Sequence, residues 1–205
     1  PRLFDFHKGK AGRIGILAGS PEFTGAALIS TLGALAAGGG LVTLYSPSSA
    51  SDAIRSRLPL EAMCKSCDDP TALLSERLDA LVVGPGLGEM LGNFEAGVIE
   101  LISSTRVPMV IDADGLNLIS KRQIKTDERH ILTPHPGEFE RLAGKMEGQS
   151  REEAAKTFSF ASRSVLLLKG ARTIVAKRDQ SLRINSTGNP GMANGGQGDL
   201  LSGVI

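Results

Sequence analysis

The chain has 205 residues, 41% of them hydrophobic and 4% aromatic, with 25 glycines, no tryptophan and a net charge of +1. That length suits one domain with a sizeable aliphatic core, and the near-zero charge excludes a broad polycationic surface for nucleic acid. No apolar run approaches the roughly 18 residues of a membrane span, and the start Pro1-Arg2-Leu3-Phe4-Asp5-Phe6-His7-Lys8 lacks the apolar core of a secretory signal. A cytoplasmic protein that binds neither nucleic acid nor membrane is expected.

In chain order, Arg13–Ala18 is a short apolar run that ends in Gly19-Ser20, as a buried strand does. Thr24–Ala37 is rich in Ala and Leu, opens on a candidate N-cap threonine and stops at Gly38-Gly39-Gly40, which predicts a helix. Leu41–Tyr45 reads as a strand broken by Ser46-Pro47. Asp79–Val83 runs into Gly84-Pro85-Gly86-Leu87-Gly88, and Met109–Asp112 into Ala113-Asp114-Gly115. Ser164–Lys169 is closed by Gly170, and helices are expected around 91–104, 114–121 and 150–162. Thr173–Ala176 and Leu182–Asn185, joined through Arg178-Asp179-Gln180-Ser181, read as an antiparallel hairpin.

Apolar strands alternating with amphipathic helices specify an α/β fold, a mostly parallel central sheet with helices on both faces. Neither a repeat nor a linker interrupts it, so residues 1–205 are expected to form a single domain. Gly19-Ser20, Gly84–Gly88, Asp112–Gly115, Thr133–Glu138 and Lys169-Gly170 all fall at the C-terminal ends of strands, the edge where open α/β sheets bind ligands.

Near the end stands Gly195-Gly196-Gln197-Gly198-Asp199, followed at once by an apolar stretch. A glycine loop running into a helix start offers free backbone N–H groups and a positive dipole end, which suits a phosphate. Asp199 beside such an anion site is placed to act as a general base; as a bland alternative it is an N-cap aspartate. The Gly84–Gly88 loop lacks G-x-G-x-x-G spacing and no G-x-x-x-x-G-K-S/T occurs, which excludes the common dinucleotide and P-loop fingerprints. His135, between Pro134 and Pro136, is presented rigidly and is a candidate ligand contact. Lys169 at a strand end suits a phosphate as a point charge, against the alternative of a snorkelling edge lysine. Asp112 and Asp114 are candidate magnesium ligands, with helix capping favoured for Asp114. Cys64 and Cys67 form a C-x-x-C without a second pair or a nearby histidine, and read as incidental thiols.

His7-Lys8-Gly9 with Gly12-Arg13, Ala18-Gly19-Ser20, Thr24-Gly25-Ala26-Ala27, Gly84–Gly88, Asp112-Ala113-Asp114-Gly115-Leu116-Asn117, Thr133-Pro134-His135-Pro136-Gly137-Glu138, Leu168-Lys169-Gly170 and Gly195–Asp199 occur in that order. Together they resemble the ADP/ATP-dependent NAD(P)H-hydrate dehydratases of the ribokinase-like superfamily. The resemblance implies repair of (6S)-NAD(P)H hydrate to NAD(P)H with ADP or ATP as phosphoryl donor, giving AMP or ADP plus phosphate, with Mg2+ expected beside the nucleotide and its ligands unassigned. It implies that Asp199 activates the substrate hydroxyl, that Ala26, Gly86 and His135 contact substrate, and that Lys169, Gly170, Ala171, Arg172 and Thr173, with Gly198, hold the nucleotide. Asn194 and Gln197 replace the threonine and serine of many relatives. The chain stops at Ile205, six residues after Asp199, where relatives continue through helices that cover the nucleotide, so a truncated domain is expected. The resemblance also implies a homo-oligomer and, in some organisms, an accompanying epimerase domain. A vitamin-precursor kinase of the same superfamily is the competing reading.

Overall fold

In a computed structural model that describes residues 11–145 and 147–205, nine strands form one sheet in the order β3-β2-β1-β4-β5-β6-β7-β8-β9. The strands are β1 (Arg13–Leu17), β2 (Leu41–Ser46), β3 (Met63–Ser66), β4 (Ala80–Val83), β5 (Met109–Ile111), β6 (His130–Leu132), β7 (Val165–Leu168), β8 (Ile174–Ala176) and β9 (Arg183–Ile184). Pairing is parallel from β3 through β7 and antiparallel in the β7–β8 and β8–β9 pairs, so the expected hairpin is present. The helices are α1 (Thr24–Ala36), α2 (Ser48–Arg55), α3 (Gly92–Ser104), α4 (Asp114–Arg122), α5 (Pro136–Ala143), α6 (Arg151–Ser162) and α7 (Gln197–Val204). The His7-Lys8-Gly9 motif lies outside the described residues.

The central strands are apolar throughout because both faces are covered. Side chains alternate across a strand, so Ile16 and Val82 point into one core with Ala27, Leu28 and Ala34 of α1, and Ala50 and Ile54 of α2. Leu17, Leu81, Val83 and Ile111 point into the other, with residues of α3, α4, α5 and α6. The strand order reverses between β1 and β4, which opens a crevice there at the carboxyl edge.

Three expectations change. Thr24 is the first residue of α1 rather than its cap; Phe23 takes the cap position with no side-chain bond, so the N–H groups that open α1 stay uncapped by a side chain. The edge strand β3 was hidden because Met-Cys-Lys-Ser has no apolar run; it is mostly exposed and, among the described residues, pairs only with β2. The third, β6, escapes a periodicity reading at three residues, one of them a buried histidine. His130 earns that burial by accepting from the Asp127 amide at Nδ1 (3.0 Å) and bonding the Ile102 carbonyl through Nε2 (3.1 Å); burial pushes its pKa below the ordinary histidine value.

Glycine decides how α7 docks. A Cβ on Gly203 would lie 2.0 Å from the Ser30 carbonyl oxygen, and one on Gly33 would lie 2.4 Å from the Leu200 carbonyl oxygen. The backbones of α1 and α7 therefore touch with no side chain between them. Gly203→Ala is expected to cost about 2–3 kcal/mol through overpacking, read as a lower denaturant midpoint. Gly25→Ala, where a Cβ would meet nothing within 4 Å, should stay within about 1 kcal/mol of the parent.

Candidate active site

The parallel strands deliver Gly19-Ser20, Gly84–Gly88, Asp112–Gly115, Thr133–Glu138 and Lys169-Gly170 to one edge. In the crevice between β1 and β4 the Gly19 amide donates to the Pro85 carbonyl (2.9 Å). Gly86 has φ +62°, and a Cβ there would lie 2.8 Å from the Ala26 Cβ and 2.8 Å from the Phe23 Cβ. Ala26 and Gly86 thus meet back to back, and any side chain at 86 would drive the loop off α1. Asp114 does not cap α4: its Oδ2 accepts the Gly88 amide at 2.8 Å, and Ala113 holds the cap position without a side-chain bond. The aspartate ties the glycine loop to α4, a long-range link that local capping rules cannot anticipate.

Ala113 itself has φ +48° and ψ −117°, a conformation L-residues rarely adopt. It stands between Asp112 and Asp114, so the backbone turns sharply where two carboxylates must be presented side by side.

Asp112 is buried, and its Oδ1 receives Lys169 Nζ at 2.8 Å. The same ammonium lies 3.9 Å from Glu138 Oε2. Lys169 is therefore a cation already engaged by carboxylates. Its backbone is fixed as well, with its amide donating to the Pro134 carbonyl (2.8 Å). Glu138 Oε2 accepts the His135 amide at 2.7 Å, while His135 Nδ1 accepts the amides of Gly137 (3.0 Å) and Glu138 (3.3 Å). This reciprocal capping box starts α5. With Nδ1 accepting, the neutral ring carries its proton on Nε2, on a side chain 53% exposed.

The cap of α7 is Gly196 (φ +88°), not Asp199, which stands in the first turn. The backbone ladder of the helix begins with Leu200 donating to the Gly196 carbonyl, which leaves the amides before it without helix partners. A Cβ on Gly198 would lie 3.2 Å from Lys169 Nζ and 3.6 Å from Asp112 Oδ2, so this turn rests directly on the ion pair. Asp199 is half-buried. Burial, and then the nearby negative charges of Asp112 and Asp114, raise its pKa above the usual carboxylate value against the opposing pull of Lys169.

The structure thus gathers Asp112, Glu138, Lys169, Gly198 and Asp199 at one point, with His135 joined through Glu138 and with Ala26 and Gly86 in the neighbouring crevice. Ala171, Arg172 (φ +62°) and Thr173 form the turn beyond Gly170. Glu138 was missed as a partner of Lys169, since nothing local joins two residues brought together by parallel β6 and β7. The two thiols are free; burial, then the charges of Asp69 and Asp68, push Cys67 up to about 11, which is unlike a reactive thiolate. Among the described residues no three His, Cys, Asp or Glu side chains gather as a metal cage, and no helix is long and apolar enough to cross a membrane.

A profile of the NAD(P)H-hydrate dehydratase family matches residues 14–205. The bifunctional NAD(P)H-hydrate repair enzyme of Gloeobacter violaceus is 38% identical over 210 residues, covering 97% of this chain and 41% of that protein. The chain thus spans about two fifths of the length of such curated relatives. A ribokinase-like superfamily protein of Enterococcus faecalis superposes with a TM-score of 0.88 at 27% identity, over 100% of this chain and 73% of that one. The ADP/ATP-dependent NAD(P)H-hydrate dehydratase of Bacillus subtilis, co-crystallised with ATP and Mg2+, gives 0.83 at 32% identity, over 99% and 74%.

The folded state holds the Asp199 proton more tightly than the unfolded chain, so ionising this group costs stability as pH rises from the ordinary carboxylate range through the raised value. Asp199→Asn removes that cost. The variant should melt higher than the parent at neutral pH, and the difference should vanish on titrating below the ordinary carboxylate range.

Proposed function

The chain belongs to the NAD(P)H-hydrate dehydratase family, and we propose that it carries the ADP- or ATP-dependent dehydration of (6S)-NAD(P)H hydrate to NAD(P)H. The observation that carries this reading is the half-buried Asp199, with raised proton affinity, one residue after a glycine that rests on the Lys169–Asp112 pair. A hydroxyl is a poor leaving group, and phosphorylation makes it a good one. Asp199 takes the hydroxyl proton as the oxygen attacks the terminal phosphoryl group, and AMP or ADP departs. Loss of phosphate, together with a ring proton, then rebuilds the double bond.

In this reading the free amides at the start of α7, Gly198 among them, face the charge that develops on the transferring phosphoryl group. The ion pair keeps Lys169 at a fixed place beside them. Ala26, Gly86 and the Nε2 side of His135 border the hydrated ring, and Lys169 through Thr173 line the nucleotide. Mg2+ keeps most of its ligands as water and phosphate oxygen and needs only one or two carboxylates. Asp112 and Asp199 would hold it, and when bound it would offset phosphate charge. An epimerase, fused or separate, is the partner activity in this proposal, and the exposed Leu32 on α1 suits a contact between copies in the cytoplasm.

The test is incubation of the full protein with (6S)-NADH hydrate and ADP or ATP, following the return of dihydronicotinamide absorbance. Recovery with either nucleotide is expected, and Asp199→Asn should lower kcat by about 10²–10⁴-fold with the fold retained. A phosphorylated alcohol that accumulates without dihydronicotinamide would replace the dehydratase with the vitamin-precursor kinase.

A further inference from the structure

Arg151 occupies the first position of α6, where a cation is electrostatically misplaced because the positive end of the helix dipole lies there. The start of α6 does not need it. Ser150 caps the helix through the Glu153 amide, Glu153 returns a bond to the Ser150 amide, and Glu152 and Glu153 supply the favourable charge. A residue that opposes its local preference points to a demand from elsewhere in the fold.

That demand lies across the sheet edge. Arg151 Nη2 donates to the Lys169 carbonyl and Nη1 to the Ala171 carbonyl, each at 3.2 Å. Gly170, between those carbonyls, has φ +139°, and a Cβ there would lie 3.1 Å from Nη2 and 3.7 Å from Cζ. The guanidinium therefore fills the space a side chain at 170 would occupy, with one prong on each flanking carbonyl. Its stem lines a cleft of about 570 Å3 with Phe139, Ala154 and Leu168, among helices on the sheet face away from α1 and α7. From the other side the turn is tied by the Lys169 amide to Pro134 and by the Thr173 hydroxyl to the Gly170 carbonyl (3.1 Å).

We propose that Arg151 is a positioning residue for the nucleotide: its fork fixes the 169–171 backbone so that the turn meets the phosphoryl donor already ordered. The inference rests on the proposed reading of Lys169 through Thr173 as the nucleotide segment, and it adds a residue outside that segment. Lysine would not replace it, because a single ammonium cannot bond two diverging carbonyls in one geometry.

The test uses the full protein carrying Arg151→Met, which keeps the stem, and Arg151→Lys, which keeps the charge. Arg151→Met should raise the nucleotide KM about tenfold, as expected for two lost charge-assisted hydrogen bonds partly replaced by water. The KM for the hydrate and kcat at saturating nucleotide should stay within about twofold, since ordering cost is charged to nucleotide binding alone; Arg151→Lys should fall between the parent and Arg151→Met. An unchanged nucleotide KM, or equal rises in both KM values, would overturn the proposal. Hydrogen exchange of the parent with and without ADP separates the two levels. Protection of the 169–173 amides with an unchanged KM in Arg151→Met sinks only the positioning role, whereas no protection sinks the nucleotide segment and the positioning role together.

Discussion

A carboxylate with almost no exposure to solvent cannot stand alone, and Asp112 does not: Lys169 reaches it at 2.8 Å from the end of a strand two places away. Removing one partner of such a pair typically costs about 3–5 kcal/mol, since the charge left behind stays buried. The pair thus locks the end of β5 to the end of β7 across β6. Glu138 stands behind the lysine, and Gly198 lies against the pair from above. Three chain segments far apart in sequence find their relative positions through one ammonium group. Because that ammonium is already balanced by carboxylate, it adds little net field of its own, and the backbone amides at the start of α7 become the less compensated positive groups at the site.

The sheet explains why the groups converge. Parallel strands send every following turn to the same edge, and the reversal between β1 and β4 leaves room there for a ligand. Glycine sets how close the turns come to one another, at 86 against α1 and at 203 against the Ser30 carbonyl. The helix that bears Asp199 packs on α1 through bare backbone, so its placement follows from the surface it docks on.

Much of this was legible in the sequence. The apolar runs at 13–18, 41–45, 79–83 and 164–169 are strands because both faces are buried, and the periodic stretches between them are helices. The glycine and aspartate turns follow from strand ends, so their shared edge could be read as well. Partnership could not. Asp114 carries the ordinary signature of a cap yet bonds Gly88, 26 residues earlier. Lys169 carries the signature of a phosphate ligand, and nothing local shows that it is also paired with Asp112, 57 residues earlier. Both depend on which strand lies beside which, and strand order leaves no local mark. The short β6 and the exposed β3 were obscured for a related reason: neighbours, rather than their own composition, hold them in the sheet.

Ala113 bends in a conformation that glycine would adopt without strain, so the alanine keeps a cost of about 1–3 kcal/mol. A glycine at that point would widen the range of angles open to residue 113, the link between the two aspartates. Asp112 and Asp114 would each gain freedom, and two tethers, one to Lys169 and one to the Gly88 loop, would loosen together. The methyl group acts as a stop on a hinge. By backbone preference alone, glycine would suit the position better.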